Sequence, residues 1–150
     1  MSIDIRSASG NDSNALARLF DKYRQFYQQT PDIDGALQFI DSRLSRQESF
    51  VLLASTDTDD VGFLQVYPTF SSISMADVWL INDLFVDESA RGQGVANQLI
   101  TRCIEQAKAH RVKLIRISTE FSNTAASGLY EKIGFEKDTR FQHYNFFLNG

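Results

Sequence analysis

The sequence predicts an α/β fold in which helices pack on one mixed β-sheet, in the order β-α-α-β-β-β-α-β-α-β-β. Three observations predict it. Residues 78–86 form a β-branched and aromatic run that leads through a short charged turn into a helix start marked by glycines. A strand, a helix and a strand follow one another over residues 78–119, and such a crossover makes its two strands parallel. Residues 49–55 and 61–67 flank the turn TDTDD, which indicates an antiparallel hairpin.

The first half of the chain supplies the elements that precede the crossover. Residues 3–8 alternate as a first strand, and residues 9–13 carry turn and helix-cap chemistry. An apolar stripe at helical spacing predicts a first helix that ends before Pro31, since proline disfavours a helical residue in front of it. A second helix is predicted over residues 33–46. Residues 70–74, which follow the hairpin, are predicted to form a loop.

The second half begins with the central strand and the helix that it leads into. That helix starts near Gly94, because apolar residues recur at helical spacing after it, and it runs to about residue 110. Residues 112–119 are predicted to be a buried fifth strand, and residues 123–133 a fourth helix. Two short strands are predicted to close the sheet as a final hairpin, over residues 135–137 and 142–148.

Length and composition bound the class of protein. The chain has 150 residues, 43% of them hydrophobic, so we expect a single domain over residues 1–150. No apolar run approaches the roughly 20 residues of a membrane span, and the first residues lack a secretory pattern, so a cytoplasmic protein with no membrane partner is expected. A net charge of −4 gives no support for nucleic-acid binding. Cys103 and the two histidines make no metal-ligand pattern, so no metal is expected. A homodimer is compatible with the sequence.

The start of the third helix is a predicted anion site. Gly92 and Gly94 allow the backbone to come close to a ligand. The first N–H groups of a helix have no partner within it and carry the positive end of its dipole. This combination suits a phosphate group. Taken alone, the same two glycines would also fit a plain tight turn.

Two motifs in the second half have a recognisable spacing. Arg91, Gly94 and Ala96 give RxxGxA, and the segment NTAASGLYEKIGF contains Asn123 and Tyr130. In these motifs the chain resembles the GNAT superfamily of acyl-CoA-dependent N-acyltransferases, where the first spacing forms the pyrophosphate loop and the second ends in LYEKxGF. The order of strands and helices extends the resemblance to nearly all of the chain. It implies a GNAT-like fold whose central and fifth strands are parallel and splayed.

The resemblance also implies acetyl-CoA as a cosubstrate, without a metal. In the family, a bulge separates the central strand from the fifth and leaves backbone groups able to pair with pantetheine. Asn123 fits a helix N-cap equally well. The residues expected to contact the cosubstrate are Leu84, Phe85, Val86, Arg91, Gly92, Gln93, Gly94, Val95, Ala96, Asn123, Ala126 and Tyr130.

Tyr130 is the candidate general acid, because the family assigns this tyrosine to the leaving thiolate; packing on the sheet is the alternative. The general base stays open. Relatives often carry a glutamate just before the aspartate of the central strand, but here that position is Asn82. Asp83 and Glu120 are possible replacements, Glu120 because it ends the fifth strand near the crevice where carboxyl ends of strands gather. A water relay is equally possible, His143 could also serve, and an amine that is already neutral would need no strong base.

The expected reaction is direct, sequential transfer of an acetyl group to a primary amine, which could be a small amine, a polyamine or a protein lysine. The alternatives are another acyl-CoA donor and a non-catalytic coenzyme A sensor. Asp32 and Asp34 either attract a cationic acceptor or serve as a helix cap and turn. The aromatic candidates for lining the acceptor site, which would equally fit a core, are Tyr23, Phe26, Tyr27, Phe70 and Trp79.

Overall fold

The computed structural model describes residues 2–149, which fall into two compact units divided after Ser118. The first unit holds a five-stranded sheet in the order β1-β2-β3-β4-β5. Its elements are β1 (Asp4–Ser7), α1 (Ser13–Phe26), α2 (Ile33–Ser45), β2 (Phe50–Ser55), β3 (Asp60–Ser71), β4 (Ala76–Val86), α3 (Val95–Ala109) and β5 (Leu114–Ile117). The second unit contains α4 (Thr124–Ile133). Short 3₁₀ turns, Gly10–Asp12 and Glu88–Ala90, precede α1 and follow β4.

The sheet is mixed. Strands β1 to β4 pair as antiparallel neighbours, while β4 and β5 are parallel, with Val78 opposite Leu114 and Ile81 opposite Ile117. This ladder ends at Ile81, whereas β4 continues to Val86. The two strands are therefore paired over only part of β4, because β5 ends at Ile117. The predicted parallel pairing of the central and fifth strands is confirmed.

Helices cover both faces of this sheet. On one face, α1 and α2 pack through a cluster that includes Leu16, Ile40 and Phe63. Side chains alternate along a strand, so the residues next to Phe63 in β3 point to the other face of the sheet, where α3 packs. That packing is close: a Cβ added at Gly62 would lie 3.5 Å from Val95 Cγ1 and 2.9 Å from a β4 carbonyl oxygen. The start of α3 is thereby held against the end of β4.

The hairpin between β3 and β4 is longer than expected. Residues 70–74 were predicted as a loop, but Phe70 and Ser71 belong to β3, and Ser71 pairs with Ala76 across a turn of residues 72–75. The strand was predicted to end at residue 67, just before Pro68, because proline within a run of residues argues against a strand. Pairing with β2 stops at Val66, so beyond it β3 has an open edge where proline costs no ladder bond.

The predicted final hairpin is not formed by the described residues. Residues 134–149 form no strand, although their aromatic residues are of a type that is common in strands. Composition alone does not make a strand, because backbone groups need a pairing partner and an isolated two-stranded hairpin is marginal in water. The mixed α/β class and the GNAT-like order of elements through α4 are confirmed.

Candidate active site

The turn between β4 and α3 has the geometry of an anion site. Gly92 and Gly94 have φ angles of 77° and 79°, in the left-handed region that glycine adopts without strain. Gly94 is the N-cap of α3 and supplies no capping side chain. Both glycines are exposed, and a Cβ added at either would meet nothing within 4 Å. The first N–H groups of α3 therefore border open space, as phosphate binding requires.

Arg91 braces this turn from the side of β4. Its Nε donates a hydrogen bond to the carbonyl oxygen of Val86 at 3.0 Å. Its guanidinium group lies 5.7 Å from the ring centroids of both Phe26 and Phe85, within cation–π distance. The sequence predicted a phosphate contact for Arg91 and gave no signal of this bracing role. The bond to Val86 uses Nε, which leaves the two Nη nitrogens for a ligand.

Asp87 ties the turn to α1. One carboxylate oxygen accepts a hydrogen bond from Lys22 Nζ at 2.9 Å, and the other accepts from the Ser89 hydroxyl. These bonds, first the one from Ser89 and then the one from Lys22, lower the pKa of Asp87 to about 2. The carboxylate is consequently charged at neutral pH, and α1 and the turn are held together by an ion pair.

Asp87→Asn should therefore lower the thermal stability in a way that depends on pH. Because the folded-state pKa of Asp87 lies below its ordinary value of 3.8, the stabilisation is present above that value and is lost as pH falls through about 2. Unfolding followed by circular dichroism should show a lower Tm for Asp87→Asn at pH 7 and a difference that shrinks between pH 4 and pH 2. Asp57→Asn, an exposed turn residue, is the matched control. A Tm difference that is the same at both ends of this range would contradict the ion-pair account.

A β-bulge interrupts β4 beside the end of the β5 ladder. Gln65 of β3 pairs with Asp83 and the next residue, Val66, pairs with Ile81, so Asn82 is the extra residue. Asn82 is exposed, whereas Asp83 is only 7% exposed. This bulge agrees with the one that the family resemblance implied. Beyond it, Leu84, Phe85 and Val86 have no β5 partner.

Aromatic rings lead from the core toward this part of β4. Tyr23 of α1 lies 5.8 Å from Phe63 and 6.0 Å from Phe85, centroid to centroid. Phe26 and Tyr27, at the end of the same helix, are 53% and 36% exposed. The predicted stripe is thus core at one end and surface at the other.

Other acceptor-site candidates lie elsewhere. Trp79 packs on Phe50 at 4.6 Å and on His110 at 5.6 Å, and lines a cavity of about 420 Å³. Trp79 lies near the start of β4 and His110 at the end of α3, so this cavity is at the opposite end of these elements from Gly94. Asp32 is the N-cap of α2, since its carboxylate accepts from Gly35 N at 2.9 Å. The predicted helix cap at Asp32 is confirmed.

Residues 119–149 contain the second motif. The Asn123 side chain accepts from Ala126 N at 3.1 Å and caps α4, as expected. Tyr130 is half-buried, and its ring lies 5.9 Å from that of Phe135. Gly134, where φ is 125°, is the C-cap of this helix. Glu120 is exposed, and its carbonyl oxygen accepts from Asn123 N at 3.0 Å.

Residues 2–149 hold no group of three or more His, Cys, Asp or Glu side chains placed to bind a metal ion. None of the helices in this range is both long enough and apolar enough to span a bilayer.

Comparisons with known proteins identify the family of the chain. Residues 14–135 match the model of the acetyltransferase (GNAT) family. An uncharacterized N-acetyltransferase of Bacillus subtilis, YhfO, is 42% identical over 95% of both chains. An L-methionine sulfoximine/L-methionine sulfone acetyltransferase of Pseudomonas aeruginosa is 26% identical over 91% of this chain and 81% of its own. The crystal structure of a probable acetyltransferase superposes with a TM-score of 0.92 at 38% identity, covering 98% of this chain and 99% of that one. The chain belongs to the GNAT family and is an N-acetyltransferase.

Proposed function

We propose that this protein transfers the acetyl group of acetyl-CoA directly to a primary amine. The observation that carries the proposal is the turn at Gly92 and Gly94, where two left-handed glycines open the first turn of α3 to a phosphate. A module that bound nucleotide through a P-loop would need Lys followed by Ser or Thr after the glycines, and Val95 and Ala96 stand there instead.

The residues around this turn suit coenzyme A along its length. Arg91, Gln93 and the first amides of α3 would hold the pyrophosphate, since a guanidinium group and helix N–H groups both complement phosphate oxygens. Backbone groups of β4 after Ile81, which β5 does not use, would pair with the pantetheine amides. From the motif resemblance, Asn123 and Ala126 are assigned to the same cosubstrate. When bound, the cosubstrate supplies an acetyl thioester to the amine.

The reaction then has three chemical requirements. A backbone N–H in the segment of Leu84 and Val86 would stabilise the negative charge that develops on the carbonyl oxygen. The Tyr130 hydroxyl would donate a proton to the leaving thiolate, a role supported by its place in the LYEKIGF motif. For the proton that leaves the amine, Glu120, Asp83 and water remain alternative acceptors.

A panel of acceptors with acetyl-CoA, following free thiol release, tests this function. The Pseudomonas relative is named for two amino-acid analogues, so L-methionine sulfoximine and L-methionine sulfone belong in the panel beside spermidine, a lysine peptide and a simple monoamine. Propionyl-CoA and succinyl-CoA test the donor. Cys103 adds no background, because it is 0% exposed and burial raises its pKa to about 12.

Amine-dependent thiol release, with the acetylated amine identified by mass spectrometry, would support the proposal. Tight binding of acetyl-CoA with no thiol release for any primary amine would favour the coenzyme A sensor instead. Amine-dependent thiol release from propionyl-CoA or succinyl-CoA, but not from acetyl-CoA, would show that the donor is a different acyl-CoA.

A further inference from the structure

The bulge at Asn82 presents one polar side chain at the point where β4 continues beyond the end of β5. Asn82 has no partner in β3, and the β5 ladder ends one residue earlier, at Ile81. Asn82 is exposed, while its neighbour Asp83 is buried. A bulge turns a side chain away from the regular alternation of a strand. Here it brings an amide to the edge of the segment proposed to hold the thioester.

A buried chain of hydrogen bonds fixes how this amide is turned. Ser49 Oγ donates to Gln65 Oε1 at 2.8 Å, which leaves the NH₂ group of Gln65 to donate to Asp83 Oδ2 at 2.7 Å. Asn82 Nδ2 donates to the other oxygen of Asp83 at 3.1 Å. Since a carboxylate accepts hydrogen bonds and donates none, both amides must turn their NH₂ groups toward Asp83. The side-chain oxygen of Asn82 is therefore directed away from Asp83.

A directed amide oxygen has a specific use when an amine is the nucleophile. It accepts a hydrogen bond from an N–H group, but it does not take up a proton at neutral pH. It can therefore orient the nitrogen lone pair without acting as a base, and orientation is itself a source of rate enhancement. Asp83, whose two oxygens each already accept from an amide group, suits the task of holding Asn82.

We propose that Asn82 Oδ1 accepts a hydrogen bond from the attacking amine and aims its lone pair at the thioester carbonyl, with Asp83 as the positioning residue that sets the orientation of Asn82. This role rests on the proposed function. The nitrogen lone pair forms the new C–N bond, the C–S bond breaks, and its electron pair leaves on sulfur as a thiolate that is then protonated. The other proton of the amine nitrogen, which Asn82 does not hold, passes to water. One N–H is held while the other is lost, so primary amines are preferred over their N-methyl analogues.

The test is a double-mutant cycle measured with the best acceptor from the panel. Asn82→Ala should lower kcat/KM for the amine roughly tenfold, as expected for one lost hydrogen bond. The KM for acetyl-CoA should stay unchanged, and the Tm should fall only modestly, because Asp83 loses the hydrogen bond from Asn82 but keeps the one from Gln65. In Asp83→Asn the oxygen of the new amide would accept the hydrogen bond from the Gln65 NH₂ group. The NH₂ group of the new amide would then face Asn82 and draw the Asn82 side-chain oxygen toward residue 83, away from the amine. We expect a loss in kcat/KM similar to that of Asn82→Ala.

The cycle separates positioning from independent roles. If Asp83 acts through Asn82, adding Asp83→Asn to Asn82→Ala costs little further activity, and the double variant resembles either single one. Asn14→Ala, an exposed asparagine of α1, is the matched control and should leave kcat/KM unchanged. The preference for a primary amine over its N-methyl analogue should also shrink in Asn82→Ala.

Three results would overturn the role of Asn82. They are full activity in Asn82→Ala, losses that multiply in the double variant, and an Asn82→Ala defect that appears equally in the KM for acetyl-CoA. A wild-type protein that turns over no amine would instead refute the proposed function, which separates the two failures.

Discussion

Replacing Gly94 by glutamate is expected to abolish coenzyme A binding while leaving the protein folded. Gly94 has a φ angle of 79° at the N-cap of α3, and the space beside it is open. A glutamate there costs about 1 to 2 kcal/mol of backbone strain and places a carboxylate where the phosphates are expected. The new carboxylate and the pyrophosphate of coenzyme A would repel each other. We expect this repulsion to exceed the favourable binding free energy of the other contacts to coenzyme A.

Gly94→Asn is the control that separates backbone strain from charge. Asparagine tolerates the left-handed conformation better than other residues and is uncharged, so this variant should keep measurable affinity. Isothermal titration calorimetry with coenzyme A measures both variants, and Tm values check that they are folded. Unchanged affinity in Gly94→Glu would refute the assignment of the phosphate site.

Tyr130→Phe is expected to lower turnover by roughly 10²-fold, the lower end of the range for assistance by proton transfer. The substitution removes a hydroxyl group and keeps the ring, which lies 5.9 Å from Phe135. The fold of α4 and the affinity for coenzyme A should therefore change little. Single-turnover kinetics, which isolate the chemical step, are the appropriate measurement.

Tyr144→Phe is the matched control, because it removes the same hydroxyl group from another tyrosine among residues 119–149. In the structure the Tyr144 hydroxyl donates a hydrogen bond to the side chain of Gln142, in its own segment, at 2.9 Å. Wild-type rates in Tyr130→Phe, with chemistry shown to limit the rate, would exclude Tyr130 as the acid. Equal losses in both variants would point to a general effect on this segment.

The sequence predicted the fold best where local patterns act alone. The turn at Gly92 and Gly94 was predictable, because only glycine adopts its backbone angles without strain. A segment with two glycines between a strand and a helix has few other conformations open to it. The cap at Asn123 was predictable for a similar local reason. The final hairpin was not, since residues 142–148 show a strand pattern but strand formation depends on a partner that the pattern does not specify.

The features missed at the candidate site are long-range. Gln65 and Asp83 are 18 positions apart and meet only through pairing of β3 with β4, so their hydrogen bond has no signature in either segment. The exact place of the bulge depends on the same register. The motif of Arg91 predicted a phosphate ligand. Its contact with the ring of Phe26 could not be predicted from the motif, because that contact requires α1 to pack beside the turn. Motifs thus identified the residue types, and tertiary pairing decided which contacts they make.

Hydrogen exchange at the start of α3 tests the phosphate site most directly. Amide exchange of the peptide covering residues 91–98 would be followed by mass spectrometry with coenzyme A, with pantetheine and without ligand. Pantetheine lacks the pyrophosphate, so the account predicts that coenzyme A slows exchange of these amides and that pantetheine does not. Equal protection by both ligands, or protection by coenzyme A confined to other parts of the chain, would contradict it.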